Sequence, residues 1–496
     1  MCVPWLGHVL DVLAGIRYDI GVSSFYVENF GCRATQADGA AIEQQFRTQG
    51  MERAALAEKA ELVVLNTCTV TASADQDARA AIRRIHRENP GCKIVVTGCY
   101  AQRAPEEIAA LPGVTQVIGN SHTHQLAELA LVSDTQNFVP LQQLRTSIRE
   151  LGTENFPHLP AEIYVSDIFA HTELLAAPVF DAANERTRPN LKVQDGCDNR
   201  CSFCVIPSVR GQSRSLRLQQ ILGEVSTLVE AGYREVVISG INLGRWGLDL
   251  PSGSEDQFCI EGLVRTILNR TSLEKLRISS VEPMDWSDEL IALMAESPRI
   301  AKHAHVPMQS GSDAVLRRMH RKYRPWHYRE KIEKIRAAMP DAAIGADVMT
   351  GFPGETDGEF EETRRMVEDL PFTYLHVFTY STRPGTPAAA MPRQVPVEKA
   401  RERNRILREL AAEKKSTFMR SFVGKTVQAI TLNDRDDACT EALSDNYLKL
   451  HLEGKHSPNR WLNARVVGVQ DGALSGVPEH ELPELATSQG SAYHRR

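Results

Sequence analysis

The sequence predicts a multidomain α/β protein with three folded parts: a small N-terminal parallel α/β sheet domain, a central partial (β/α)6 barrel and a small C-terminal β-barrel. Three observations predict this order. Strand and helix patterns alternate near the N-terminus, further strand–helix units follow after residue 187, and the last part carries short strands separated by turns. A chain of 496 residues is long enough for several such domains.

The first folded part is predicted over residues 25–130, after an N-terminal extension over residues 1–24. Three strands are predicted at SFYVENFGC, ELVVLNTC and KIVVTGC, with helices between them, which is a βαβ pattern. A cysteine follows each strand, and we call Cys32, Cys68 and Cys99 the sheet cysteines. Because carboxyl ends of parallel strands share one edge, these thiols are expected to converge and bind a metal cluster. Three ordinary buried cysteines are the alternative.

A linker is predicted over residues 131–186, and the central domain over residues 187–420. Its strand candidates are LKVQ, EVVISG, KLRISS, HAHVPM, AIGADVMTG and YLHVFTY. Because these are too few for a closed eight-stranded barrel, we expect an open (β/α)6 barrel. The small β-barrel is predicted over residues 421–485, and a disordered tail is predicted over residues 486–496.

The run DGCDNRCSFC places Cys197, Cys201 and Cys204, the barrel cysteines, in one loop after a predicted strand. Three thiolates can bind three irons of a [4Fe–4S] cluster and leave the fourth iron open, whereas ferredoxin-type runs supply four cysteines. Zinc prefers four ligands, and no fourth follows at zinc-finger spacing. The spacing therefore predicts a catalytic cluster, and Phe203 is placed to pack beside a ligand on the open iron.

Motifs at four further strand ends predict a ligand pocket. In SGINLG, glycines flank Asn242 and allow a close backbone approach to a ligand, although a tight turn would need them too. In SSVEP, Glu282 can accept hydrogen bonds from hydroxyl groups, although a surface acid is equally compatible. The candidate pocket residues are Gly240, Asn242, Glu282, Gln309, Ser310, Asp347 and Gly351.

Composition excludes few functions. Hydrophobic residues make up 42% of the chain and charged residues 24%, as in ordinary globular proteins. There is no apolar run of membrane-spanning length and no clear signal peptide, so we expect a cytoplasmic protein with reduced thiols. The net charge of −6 does not indicate a nucleic-acid-binding protein, but residues 317–324 and 401–420 are locally basic. Each stretch is equally typical of a solvated helix face.

The run DGCDNRCSFCVIPSVRG resembles the signature of the radical S-adenosylmethionine enzymes, and NFGC, NTC and TGC resemble the methylthiotransferases among them, over about residues 25–485. The resemblance implies that the barrel cysteines hold a [4Fe–4S] cluster that chelates S-adenosylmethionine, with Phe203 near the adenine. The seven candidate pocket residues would then line the site of this cofactor. It also implies a second [4Fe–4S] cluster on the sheet cysteines, which presents sulfur, and two S-adenosylmethionine molecules per turnover. The C-terminal barrel resembles the TRAM domain, an OB-like RNA-binding module.

The family modifies a tRNA adenosine beside the anticodon or an aspartate of a ribosomal protein. QDGCDN, SGINLG, SSVEP, HVPMQSGS and HVFTYSTRPGT resemble the branch acting on threonylcarbamoyladenosine. This implies methylthiolation at C2 of N6-threonylcarbamoyladenosine at tRNA position 37. The implied partners are the tRNA anticodon stem-loop, a sulfur donor and an electron donor such as flavodoxin or ferredoxin, with no membrane. Alternatives are isopentenyladenosine in tRNA, the ribosomal-protein aspartate, or a non-catalytic iron–sulfur protein that binds RNA or transfers electrons.

Overall fold

The computed structural model describes residues 23–132, 161–171, 174, 188–251, 259–432 and 439–481. Two compact units are present, one formed by residues 1–30, 42–68 and 75–166 and the other by residues 31–41, 69–74 and 167–496. Residues 1–22 of the predicted N-terminal extension, most of the predicted linker and the predicted C-terminal tail lie outside the described residues. Within the described ranges, no helix combines the length and the apolar character needed to cross a membrane.

A six-stranded parallel sheet forms the first unit, in the order β2-β1-β3-β4-β5-β6. The strands are β1 Ser24–Asn29, β2 Glu52–Arg53, β3 Leu62–Thr67, β4 Lys93–Gly98, β5 Val114–Gly119 and β6 Glu162–Tyr164. The three strands predicted from the sequence are β1, β3 and β4, which are neighbours. Every residue of β3 is buried, which explains its continuous apolar run.

Helices of the N-terminal half are α1 Arg33–Thr48, α2 Ala72–Glu88, α3 Cys99–Arg103, α4 Pro105–Ala109 and α5 Leu126–Val132. Ile82 and Ile85 of α2 pack on one face of the sheet with Leu65 and Val96. The other face has its own core, which includes side chains of α1 and α5. Both faces of the sheet are therefore covered, as a parallel sheet requires.

The second unit contains the six predicted parallel strands and one short antiparallel strand, β8, that the sequence did not predict. Their bounds are β7 Asn190–Asp195, β8 Arg214–Ser215, β9 Glu235–Gly240, β10 Lys275–Ile278, β11 His303–His305, β12 Ala343–Thr350 and β13 Tyr374–Thr379. Two sheets, β10-β9-β7-β8 and β11-β12-β13, are joined by parallel bridges between Leu276 and Ile300 and between Ser280 and His305. The six strands thus follow one another in chain order from β7 to β13, which confirms the open (β/α)6 barrel.

Helices separate these strands and share one continuous hydrophobic core with them. They are α6 Ile206–Arg210, α7 Leu218–Glu230, α8 Ile260–Arg270, α9 Asp288–Glu296, α10 Asp313–Arg318, α11 Pro325–Ala338, α12 Asp357–Asp369 and α13 Val397–Arg420. The local sequence determines where several of these helices begin. Thr356 and Glu359 form a capping box at α12, and the Ser287 hydroxyl caps α9.

Short 3₁₀ helices occur at several of the connections. Their bounds are Ala57–Lys59, Asn120–Gln125, Ile168–Ala170, Leu243–Arg245, Pro283–Asp285 and Pro387–Ala390. Two of them, Leu243–Arg245 and Pro283–Asp285, directly follow the strand-end motifs SGIN and SSVE. These turns keep the connections after β9 and β10 compact.

A closed five-stranded barrel ends the second unit, in the order β14-β15-β16-β18-β17, which confirms the predicted small β-barrel. The strands are β14 Thr426–Thr431, β15 Cys439–Ser444, β16 Lys449–Glu453, β17 Trp461–Gln470 and β18 Ala473–Glu481. Alternate residues such as Leu450, Leu452 and Leu462 fill its interior. Closure removes the exposed sheet edges that an open sheet of this size would leave.

The turn between β15 and β16 is bound to the amino end of the central barrel. Arg277 donates to the Glu235 carboxylate over 2.6 Å and to the Asp445 carbonyl over 3.1 Å. The Tyr447 ring lies 5.3 Å from the Arg277 guanidinium and 4.7 Å from the His303 ring. Both members of the Arg277–Glu235 pair are fully buried, so neither charge can be solvated if its partner is lost.

We predict that Arg277→Met lowers the free energy of unfolding by about 3 kcal/mol, because it removes the closer partner of the buried Glu235 carboxylate and leaves only Arg188, 3.7 Å away. Chemical denaturation of the full chain measures this. The exposed pair Arg265–Glu289 gives the matched control, and Arg265→Met is expected to cost less than about 1 kcal/mol. Equal losses in the two variants would contradict the assignment.

Candidate active site

The loop of the barrel cysteines begins at the carboxyl end of β7 with a glycine that no other residue can replace. Gly196 has φ +72, and a Cβ there would lie 1.8 Å from the Gln212 carbonyl oxygen. The next residue, Cys197, donates its backbone N–H to the Gly211 carbonyl over 3.1 Å. This close approach fixes the direction in which the loop leaves the strand.

A buried network of two acids and two bases lies directly beneath this loop. The Asp195 carboxylate accepts from Lys192 over 2.9 Å and from Arg210 over 3.0 Å, and it also accepts from the Gly196 N–H over 2.8 Å. Arg210 donates to Asp38 over 2.8 Å, and Lys192 also pairs with Asp38. Burial favours the neutral carboxyl group, but Arg210 and Lys192 outweigh it and lower the pKa of Asp195. Arg214 is a third cation, 3.9 Å from the same carboxylate, so both buried acids are paired with positive charge, as buried ions require.

A buried glutamine, Gln194, ties the loop after β7 to the loop after β9. Its Nε2 donates to the carbonyls of Asp195 and Gly196, each over 2.9 Å, and its Oε1 accepts from the Asn242 N–H over 2.7 Å. A Cβ at Gly240 would lie 2.7 Å from that same Oε1. The glycine predicted from SGINLG is therefore needed for this approach of the two strand ends.

The three barrel thiols influence one another and receive hydrogen bonds from surrounding groups. Burial raises the pKa of Cys204 to about 12, and the Cys201 and Cys197 thiols add to this effect. Arg321 donates to the Cys201 Sγ over 3.2 Å, and the Asn242 side chain donates to the Cys197 Sγ over 3.7 Å. Three thiols in one loop, two of which accept hydrogen bonds from N–H donors, fit an iron–sulfur cluster, and metal binding would release their protons.

Several buried polar atoms around this loop have no hydrogen-bond partner among the described residues. They include Ser239 Oγ, Asn242 Oδ1, Ser279 Oγ and Gln309 Oε1. Gln309 also has φ +60, a conformation that residues other than glycine seldom adopt. Unsatisfied buried polar groups are costly, so this arrangement fits a polar ligand such as S-adenosylmethionine.

Glu282 lies at the same end of the barrel and forms an ion pair with Arg321. Burial raises the pKa of the Glu282 carboxyl group, and Arg321 opposes this shift. Arg321 lies between Glu282 and Cys201, where it connects the pocket to the cysteine loop.

The remaining predicted pocket residues have contacts of their own. Phe203 meets the Phe352 ring edge-on with centroids 6.5 Å apart, and the Ser310 hydroxyl lies 3.1 Å from that of Thr363. A Cβ at Gly351 would lie 2.4 Å from the Ala400 Cβ, so this glycine is required for packing against α13. The roles of these residues toward a cofactor stay predictions.

Sequence reasoning missed Asp38 and the polar residues of β7 as supports of the cysteine loop. The available signal was the run NLKVQD, in which Lys, Gln and Asp interrupt a strand that is buried throughout. Polar residues in such a strand have to be paired inside the protein, which marks them as structural or functional. No local signal connected Asp38 with a loop more than 150 residues later, because that proximity depends on the tertiary fold.

Two of the sheet cysteines follow strands that are paired in register. Thr67 of β3 pairs with Gly98 of β4, and Cys68 and Cys99 are the next residues. A Cβ at Gly98 would lie 2.4 Å from the Thr67 carbonyl oxygen, so the strand ends approach closely. Both thiols are buried at one edge of the first unit. Cys32 follows β1 but lies in the segment 31–41 of the second unit, so its place in the same cluster stays a prediction.

Comparisons with known proteins match both halves of this arrangement. Residues 24–119 match a family described as uncharacterized protein family UPF0004, and residues 191–367 match the radical SAM superfamily. The chain is 35% identical to threonylcarbamoyladenosine tRNA methylthiotransferase MtaB of Bacillus subtilis, over 86% of this chain and 89% of the relative. The tRNA-2-methylthio-N6-dimethylallyladenosine synthase of Acidothermus cellulolyticus is 33% identical over 92% of this chain and 85% of its own.

A solved structure, the radical S-adenosylmethionine methyltransferase TsrM of Kitasatospora setae, is similar with a TM-score of 0.50 and 15% identity. The likeness covers 74% of this chain and 75% of the other. At this identity it supports the fold alone.

We predict that Gly196→Ala abolishes iron binding by the barrel cysteines, because the new Cβ would overlap the Gln212 carbonyl. Iron analysis and the EPR signal of the reduced protein measure the loss. Gly223→Ala in α7 is the matched control, since nothing lies within 4 Å of its new Cβ and alanine favours a helix. The same iron content in the two variants would refute the predicted overlap.

Proposed function

The chain belongs to the threonylcarbamoyladenosine tRNA methylthiotransferases of the radical S-adenosylmethionine superfamily, and we propose that it inserts a methylthio group at C2 of N6-threonylcarbamoyladenosine at tRNA position 37. The substrate assignment is supported by three relatives of that name that are 33–35% identical over 86–91% of this chain. The observation that carries the chemistry is the loop of three cysteines held over a buried ion network at the end of β7.

Two [4Fe–4S] clusters and S-adenosylmethionine are the cofactors of this enzyme family. When bound, they supply one-electron cleavage of S-adenosylmethionine, hydrogen abstraction, and the sulfur and methyl groups. We assign the first cluster to the barrel cysteines and the second to the sheet cysteines. Three cysteines in each set leave one iron open to a ligand in each cluster.

The protein's own groups bind and orient these cofactors. The Asp195 network holds the cysteine loop, and N–H donors from Arg321 and Asn242 stabilise negative charge on the ligating sulfurs, which tunes the reduction potential. The unpaired oxygens of Ser239, Asn242 and Gln309 would hold the polar groups of S-adenosylmethionine. Glu282, already oriented by Arg321, would accept hydrogen bonds from its ribose.

The partners follow from this reaction. The tRNA anticodon stem-loop is the substrate, and an unstacked anticodon-loop base can enter a pocket without the cost of opening a duplex. An electron donor such as flavodoxin or ferredoxin would reduce the barrel cluster, and a sulfur donor would restore the inserted sulfur. We place the reaction in the cytoplasm, where tRNA is modified.

We predict that a deletion strain lacks 2-methylthio-N6-threonylcarbamoyladenosine and regains it on complementation, as measured by nucleoside mass spectrometry of total tRNA. An unchanged level of this nucleoside would overturn the proposed substrate. Loss of the methylthiolated isopentenyl nucleoside instead would assign the enzyme to the activity named for the Acidothermus relative. A non-catalytic iron–sulfur protein would change neither nucleoside.

We predict that the two cysteine sets have separable roles. Cys201→Ala should abolish formation of 5′-deoxyadenosine from S-adenosylmethionine under dithionite, while leaving the second cluster in place. Cys68→Ala should retain 5′-deoxyadenosine formation but stop methylthiolation. Iron content and product analysis of both variants, with Cys259→Ala as the exposed-cysteine control, measure this. Identical behaviour of Cys201→Ala and Cys68→Ala would contradict the division.

A further inference from the structure

Three side chains on adjacent strands form a second polar cluster inside the central barrel. His305 of β11, Asp347 of β12 and His376 of β13 bring one nitrogen or oxygen atom each to within 4.8 Å of the others. Asp347 and His376 are paired in the strand register, so they project from the same face of the sheet. Within the described residues, no other group of three His, Cys, Asp or Glu side chains meets this distance.

A hydrogen bond orients the cluster on one side, and its other side is exposed. His305 Nδ1 lies 2.9 Å from the Ser280 hydroxyl, which fixes the ring. His305 Nε2 points toward Asp347, 3.4 Å from its Oδ1, but makes no hydrogen bond among the described residues. Asp347 retains 28% of its side-chain exposure, and His376 is exposed. The Asp347 carboxylate and the His376 ring are therefore within reach of a ligand.

This cluster adjoins the candidate cofactor pocket. The Asp347 carbonyl accepts the N–H of Gln309 over 2.8 Å, and Gln309 has one of the unpaired oxygens described above. A base held beside the cofactor could thus extend a substituent to these three side chains.

On its other side, His376 lines a cavity of about 500 Å³ between β13, α13 and the small barrel. Arg408, Lys415 and Lys449 also line this cavity, and none of them has an ion pair among the described residues. One carboxylate, Glu441, is present. The cavity side of His376, opposite Asp347, therefore carries more positive than negative charge and favours an anionic group.

We propose that His305, Asp347 and His376 recognise the threonylcarbamoyl group on N6 of the target adenosine. This inference rests on the proposed function. The group carries ureido N–H and hydroxyl donors, from which the Asp347 carboxylate can accept hydrogen bonds. It also carries a carboxylate, which the two imidazoles and the cations of the cavity can bind. An isopentenyl group offers none of these and would leave the cluster desolvated and unpaired, so the same residues select against it.

Binding to anticodon stem-loop oligonucleotides tests this without turnover. Full-length, cluster-reconstituted protein is titrated with labelled stem-loops that differ only at position 37, which carries threonylcarbamoyladenosine, isopentenyladenosine or adenosine. The wild type should bind the first at least about tenfold more tightly than the second. His376→Ala should lose most of this preference while keeping its affinity for the unmodified loop, and Asp347→Asn should also lose most of the preference. His305→Asn, which keeps a hydrogen-bonding side chain, should retain part of it.

His327→Ala is the matched control, because His327 lies on α11 beside Trp326 and outside this cluster. Iron content and far-UV circular dichroism show that each variant is folded. An unchanged ratio of affinities in folded His376→Ala and Asp347→Asn would overturn the inference, even if nucleoside analysis supports the proposed function. A stoichiometric metal other than iron, present in the wild type and absent from His376→Ala, would also overturn it by assigning the cluster to that metal.

Discussion

The buried ion network at the end of β7 is the interaction on which the candidate active site depends. Lys192 and Arg210 neutralise Asp195 and Asp38, and the Asp195 carboxylate in turn holds the first residue of the cysteine loop through the Gly196 N–H. Removing one member would leave a buried charge without its partner, which is far more costly than never having placed the pair. The network therefore holds the start of the cysteine loop, and it explains why charged residues occupy a fully buried strand.

Around that loop, the ends of the neighbouring strands each contribute a side-chain interaction to the site. Gln194 connects the ends of β7 and β9, and Arg321 connects the Cys201 sulfur to Glu282 after β10. Among the described residues, polar atoms at the ends of β9, β10 and β11 have no hydrogen-bond partner, which is typical of a ligand site rather than of a packed core. At the opposite end of the barrel, the fully buried pair of Arg277 and Glu235 and the turn from the small barrel complete the packing.

Much of the fold and of the candidate site was predictable because local sequence patterns determine them. Alternating strand and helix signals gave all six barrel strands and the three neighbouring strands that precede the sheet cysteines, and cysteine spacing gave the cluster chemistry. The residues that hold the cysteine loop were not predictable, because Asp38 reaches Lys192 and Arg210 only through the tertiary fold. The strand β8 was missed because two residues carry no periodicity. His376 was missed because its strand was recognised only as a strand, whereas its role depends on facing Asp347 and His305.

The central claim is that the barrel cysteines leave one iron open for S-adenosylmethionine. Electron–nuclear double resonance of the reduced enzyme with S-adenosylmethionine labelled with ¹⁷O in its carboxylate and ¹⁵N in its amino group tests it most directly. We expect hyperfine coupling from both labels, retained in Cys68→Ala and lost in Cys201→Ala. Absence of coupling in the wild type, or its persistence in Cys201→Ala, would contradict the claim.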